Sequence, residues 1–87
     1  MKYVDDYGHE FNSIDEVKTY AIREMYDNDE ILVEELEYYF VATEILRWIV
    51  RNPRIFEDFF KDHQSVFELA RRHHVENYIF NCEKIED

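Results

Sequence analysis

Residues 13–29 read SIDEVKTYAIREMYDND, and this stretch carries both the start and the stop of a helix. Ser13 precedes Glu16 by three positions, the spacing of a capping box. In that motif the serine hydroxyl accepts from the amide three residues on, and the glutamate reaches back. Asp15 and Glu16 also place negative charge at the positive end of the helix dipole. Ile14, Val17, Ala21 and Met25 then recur at helical spacing and form one apolar stripe. Asp27-Asn28-Asp29 ends it. The spacing predicts a helix from Ile14 to about Tyr26.

Upstream, Tyr3-Val4 and Glu10-Phe11 flank Asp6-Tyr7-Gly8-His9. Gly8 is the only glycine of the chain and sits where a turn wants positive φ, so a short β-hairpin is expected. A lone hairpin is marginal, so it should pack on a helix or gain a third strand.

Downstream, Leu32, Leu36, Tyr39, Leu46 and Val50 form an apolar line that Tyr38, Ala42, Ile45 and Ile49 widen. One long helix from about Glu30 to Arg51 is expected, with Glu37, Glu44, Arg47 and Arg51 on its opposite side. Asn52-Pro53 marks a break, because asparagine caps and proline suits the first helical position. The third helix begins at Pro53 and buries Ile55, Phe56, Phe59 and Phe60. Ser65-Val66-Phe67-Glu68 reads as a second capping box and a restart. Val66, Leu69, Ala70 and His73 should face inward there. Residues 77–82 fit either a helix extended to about Phe80, which is preferred, or a strand beside the hairpin.

These elements make one domain over residues 1–87, mainly α in an α+β frame. Three to four helices form a small bundle with an N-terminal β-hairpin. Hydrophobic residues are 46% of the chain and aromatics 17%, enough for a packed core despite the short length. Cores of this size are thin, which leaves room for a homodimer.

One cysteine, Cys82, excludes an intrachain disulfide and fits a reducing, cytoplasmic setting. The opening residues lack the apolar core of a signal peptide. No run approaches the roughly 18 apolar residues of a membrane span, so no membrane partner is expected.

Catalytic chemistry finds little support. Ser13 and Ser65 are both read as caps. Cys82 stands next to Glu83, which opposes thiolate formation. A single glycine cannot build a phosphate-cradling loop. His73 and His74 are adjacent and point about 100° apart on a helix, and no HExxH, ExxH or HxxxH spacing occurs. The expectation is a protein that is not an enzyme and has no metal or cofactor. Arg71-Arg72-His73-His74 is the one basic run. Its simpler role is to neutralise acids on helices one and two. Its functional alternative is an oligomeric sponge that holds a phosphorylated signal molecule with Arg71, Arg72 and His74.

The net charge of −11 is unevenly placed, with −10 on residues 1–46 and −1 on residues 47–87. It either keeps an aromatic-rich protein soluble or forms a functional surface. For the latter, Glu37, Val41, Glu44 and Trp48 follow spacings of four, three and four and would share one strip, with Phe40 beside it. Exposed rings among carboxylates are what a basic partner needs. The alternative is a second buried face of a central helix. The candidate partner-binding set is Asp27, Asp29, Glu30, Glu34, Glu37, Phe40, Glu44 and Trp48.

The opening YVDDYGHEFNSIDEV, residues 3–17, resembles that of small proteins from phages and prophages of Gram-positive bacteria. In size, acidity and lack of catalytic motifs the chain is similar to anti-CRISPR and other anti-defence proteins. The resemblance implies an inhibitor of a host nuclease that mimics nucleic acid and occupies a basic surface, working in the host cytoplasm. A second class is an adapter or regulator that binds another protein through the aromatic face without mimicry.

Phosphate contacts need clustered Lys and Arg, so no binding of free DNA or RNA is expected at physiological salt. A gel shift at micromolar protein would contradict this.

Overall fold

The structure, a computed structural model, describes residues 1–86 apart from the Thr43 side chain. In chain order the elements are β1 (Lys2–Val4), β2 (Glu10–Phe11), α1 (Ile14–Asp27), α2 (Asp29–Leu36), α3 (Thr43–Arg51), α4 (Pro53–Asp62), α5 (Gln64–Asn81) and β3 (Glu83–Ile85). The protein is mainly helical with a small antiparallel sheet in the order β2-β1-β3.

The hairpin forms from the expected segments, and its register sets Tyr3 opposite Phe11 and Val4 opposite Glu10. Gly8 takes φ 88° in its turn. The third strand comes from the far end of the chain: β3 pairs with β1 through Lys2–Ile85, Tyr3–Lys84 and Val4–Glu83. Residues 77–81 are helical, Cys82 closes the helix in an extended conformation, and the strand follows it.

Helix α1 starts on its cap as expected. Ser13 Oγ accepts from the Glu16 amide at 3.3 Å, while Glu16 Oε2 accepts from the Asn12 amide at 2.7 Å. Val17, Ala21 and Met25 are fully buried, and Ile14 only partly. Asn28 ends α1 and caps α2, its side chain accepting from the Glu30 amide at 3.0 Å.

The long helix expected over residues 30–51 is two helices, which raises the helix count to five among the described residues. The Leu36 carbonyl accepts from both Tyr39 and Phe40 amides, at 2.9 and 3.2 Å. This tightened last turn closes α2. Residues 38–41 are aromatic or β-branched, which lose side-chain freedom in a helix and hold it weakly. A straight 22-residue helix would extend about 33 Å. Folding back instead lets Leu46 join Leu32, Val33, Leu36, Met25, Phe67 and Ala70 in one buried cluster.

Two details of the C-terminal half also differ from expectation. The break between α4 and α5 falls at His63, two residues before Ser65, which is exposed inside α5 and caps nothing. The His63 ring closes α4 instead, Nδ1 donating to the Phe59 carbonyl at 2.9 Å. On α5 Phe67 and Ala70 are buried and Val66 packs against the same cluster, whereas Leu69 and His73 are exposed. Phe67 is the pivot, with the rings of Phe56, Phe59 and Phe60 lying 4.8–6.0 Å away, centre to centre. Ile55, Phe56, Phe59 and Phe60 are partly buried, none completely.

Truncating Phe67 to Ala should cost about 3–5 kcal/mol. That is much of the roughly 5–15 kcal/mol available to a domain. Urea denaturation should show the midpoint shifted to markedly lower urea with the slope unchanged.

Candidate functional site

The 4-3-4 spacing of Glu37, Val41, Glu44 and Trp48 does not make one helical strip. Glu37 closes α2, Val41 lies in the connecting turn, and Glu44 and Trp48 are on α3. The fold-back sets α3 against α2, with Glu37 and Val41 at the turn and Trp48 toward the other end of α3. Arg47 Nη2 lies 3.4 Å from Glu30 Oε2, Arg51 Nη2 3.2 Å from Glu30 Oε1, and Arg51 Nε 4.0 Å from Asp29 Oδ2. The end of α3 therefore sits beside the start of α2, and the two helices run antiparallel.

Leu46 and Ile49 anchor α3 inward. Helical geometry then turns Glu44 and Trp48, four residues apart, and Ile45 beside them, to the outside. Trp48 is 58% exposed, Ile45 57% and Tyr38 71%, and Val41 is fully exposed. Phe40 is not part of this surface. It is half-buried, with its ring 5.3 Å from Phe59 and 5.4 Å from His63. A run of mixed aromatics gave no signal to separate the inward ring from the outward ones.

The acids divide in the same way. Asp29 and Glu30 are answered by Arg47 and Arg51, exposed pairs worth about 0–1 kcal/mol each but enough to mute the local field. Asp27, Glu34, Glu37 and Glu44 are exposed and form no ion pair among the described residues. Glu34, Glu37 and Tyr38 line one shallow depression.

The basic run on α5 splits. His73 Nδ1 lies 2.7 Å from Glu35 Oε2 and His74 Nδ1 3.3 Å from Glu35 Oε1. Glu35 is only 9% exposed, so the two imidazoles satisfy a carboxylate that burial would otherwise penalise. These two bonds tie α5 to α2, whereas Arg71 and Arg72, also expected to neutralise acids, form no ion pair among the described residues. Arg71 and Arg72 line a different groove, with Lys18, Ile22, Val75 and Ile79. His74 therefore does not join the two arginines in one site. Among the described residues, no three His, Cys, Asp or Glu side chains are placed to share a metal ion. No described helix is long and apolar enough to cross a membrane.

A second polar node has no counterpart in the sequence reading. Asp5 is buried at the hairpin and accepts four hydrogen bonds. They come from the Tyr78 hydroxyl, from His9 Nδ1 at 2.7 Å, and from the Tyr7 and His9 amides at 3.0 and 2.8 Å. Burial pushes its pKa up, but the bonds to Tyr78 and His9 outweigh that and hold it at about 2. Tyr78 is raised by its own burial and by Asp5. The Cys82 thiol is also raised, by burial first and then by Asp5 and Asp6, rather than by Glu83. An aspartate two residues before a turn amide is a recognisable Asx turn. Its partner Tyr78, 73 residues on, is not.

Because the folded pKa of Asp5 lies below the ordinary value of 3.8, its contribution is complete above that value. It is lost as pH falls toward about 2. Asp5→Asn should lower stability by about 2 kcal/mol at pH 7. The gap from wild type should close in acid. Urea denaturation at neutral pH and near pH 3 measures both, and an equal gap at the two values would refute the assignment.

The chain matches no protein-family model, no curated protein and no solved structure.

Proposed function

We propose that this is a non-catalytic binding protein that docks its α2–α3 corner onto a basic surface of another protein. In its most specific form the partner is a nucleic-acid-binding nuclease of a defence system, inhibited by occupation of the channel that holds nucleic acid. The observation that carries the reading is Trp48, more than half exposed on α3 with Glu44 and Ile45 one turn before it, in a chain whose Glu34, Glu37 and Glu44 are exposed without ion-pair partners among the described residues.

Exposing such a group to water is unfavourable, and apolar patches rimmed by polar groups mark contact sites. Tryptophan is among the residues most enriched in interface hot spots, where a buried ring supplies affinity and the surrounding charges steer encounter. Glu44 stands one turn before Trp48 on α3, Glu34 and Glu37 lie along α2 and at its end, and Asp27 ends α1. The net charge of −11 supports the same reading. Duplex DNA carries one charge per roughly 1.7 Å of axis, so a groove built for it attracts a dense acidic surface.

Recovery of a partner from host lysate, followed by competition with duplex DNA, tests the reading. DNA should displace the protein. Trp48→Ala should speed dissociation with a loss of about 2 kcal/mol. Glu34→Lys should mainly slow association and change its salt dependence. Because Trp48 is exposed, its truncation should leave melting nearly unchanged, which separates binding from folding. If neither change weakens the complex, the corner is not the interface. If the complex resists both DNA and high salt, the protein is an adapter using the aromatic face alone.

A further inference from the structure

The outer face of α5 is a second surface, different in chemistry from the α2–α3 corner. Helix α5 has 18 residues and turns Phe67, Ala70 and His74 inward. On its opposite side Leu69 is 45% exposed and Phe80 is 85% exposed. They are eleven residues apart, three helical turns, and so lie almost in line, about 16 Å from each other. Between them on the same side stand Arg72 and Glu76, both exposed. Neither forms an ion pair among the described residues. Helix α5 carries two arginines and two glutamates, so it is neutral in a chain of net charge −11.

We propose that this face pairs with the same face of a second copy, the two α5 helices antiparallel about an axis near His74. The arrangement is self-complementary. Leu69 lies against Phe80 of the partner subunit, and Phe80 against Leu69 of the partner subunit. Arg72 faces Glu76 of the partner subunit, and the reverse pair follows by symmetry. Apolar contacts close both ends and two ion pairs set the register.

The protein is elongated, which leaves a long outer helix face open to solvent. Its accessible surface is 6237 Å² for 10.8 kDa, whereas a compact monomer of that mass exposes about 5,500 Å². The radius of gyration, 14.6 Å, likewise exceeds the roughly 12 Å of a compact chain of this length. Neutral helices also let two strongly acidic protomers approach, because the contact itself adds no like charges.

Sedimentation equilibrium of the full chain at physiological salt tests the proposal. The wild type should be dimeric. Arg72→Glu and Glu76→Arg, each alone, should weaken the dimer by at least about tenfold. The double exchange should restore it, since the pair is rebuilt with its signs reversed. Leu69→Ala with Phe80→Ala should give a monomer. All four side chains are exposed, so circular dichroism should remain that of the wild type. A monomeric wild type overturns the proposal, as does a double exchange that fails to restore the dimer. A dimer split by Trp48→Ala but not by Arg72→Glu would place the contact on α3 and overturn it too. None of these outcomes depends on the proposed binding partner.

Discussion

Burial of Phe67 is the constraint from which the arrangement of the helices follows. An 87-residue chain with this much charge can exclude water from few side chains. Phe67 is one of them, and Met25 of α1, Leu36 of α2, Leu46 of α3 and the rings of α4 all close on the cluster that contains it. A helix that missed this cluster would gain little from folding. The reversal between α2 and α3 is the clearest consequence. It interrupts a helical pattern to carry Leu46 back to the core, and burial of that side chain offsets the backbone bonds lost at the turn.

Two buried carboxylates complete the frame, and they act differently. Asp5 sits at the sheet, receives four hydrogen bonds and stays ionised, so it ties the hairpin to the end of α5 through Tyr78. Glu35 lies between α2 and α5 and is met by two imidazoles. Each costs free energy to bury and would be destabilising if its partners were removed. Their gain is in geometry. They fix how α5 lies against the hairpin and against α2, which apolar packing alone specifies less sharply.

The surfaces left outside follow from those inward choices. Once Leu46 and Ile49 are committed to the core, the period of α3 leaves Ile45 and Trp48 in water beside Glu44. Once Phe67 and Ala70 are committed, the period of α5 leaves Leu69 and Phe80 outside with Arg72 and Glu76 between them. A protein with an acidic aromatic corner and a neutral self-complementary helix would present two acidic corners per dimer. Two linked contacts would then raise avidity for any partner with repeated basic sites.

The amino-acid sequence settles whatever depends on neighbours a few residues apart. The Ser13 cap, the Asp27–Asp29 stop, the Gly8 turn and the Asn52-Pro53 break are all local. Each appears where expected, although Asn52 makes no side-chain cap bond, which leaves the stereochemistry of Pro53 to set that helix start. The acidity of the first half is equally legible. Residues 30–51 mark the limit. A continuous helix and a helical hairpin show the same apolar period, and the N-cap of α3 is Ala42, which has no side-chain cap to announce the start. The choice between them rests on the cluster around Phe67, which is distant in sequence. The same holds for Asp5 with Tyr78 and for Glu35 with His73 and His74. It holds too for which aromatic of the Tyr38–Phe40 run turns inward. Periodicity records that a helix has an apolar side, but long-range packing selects which of two candidate sides is covered. That selection put Phe40 against Phe59 and left Trp48, Leu69 and Phe80 in water.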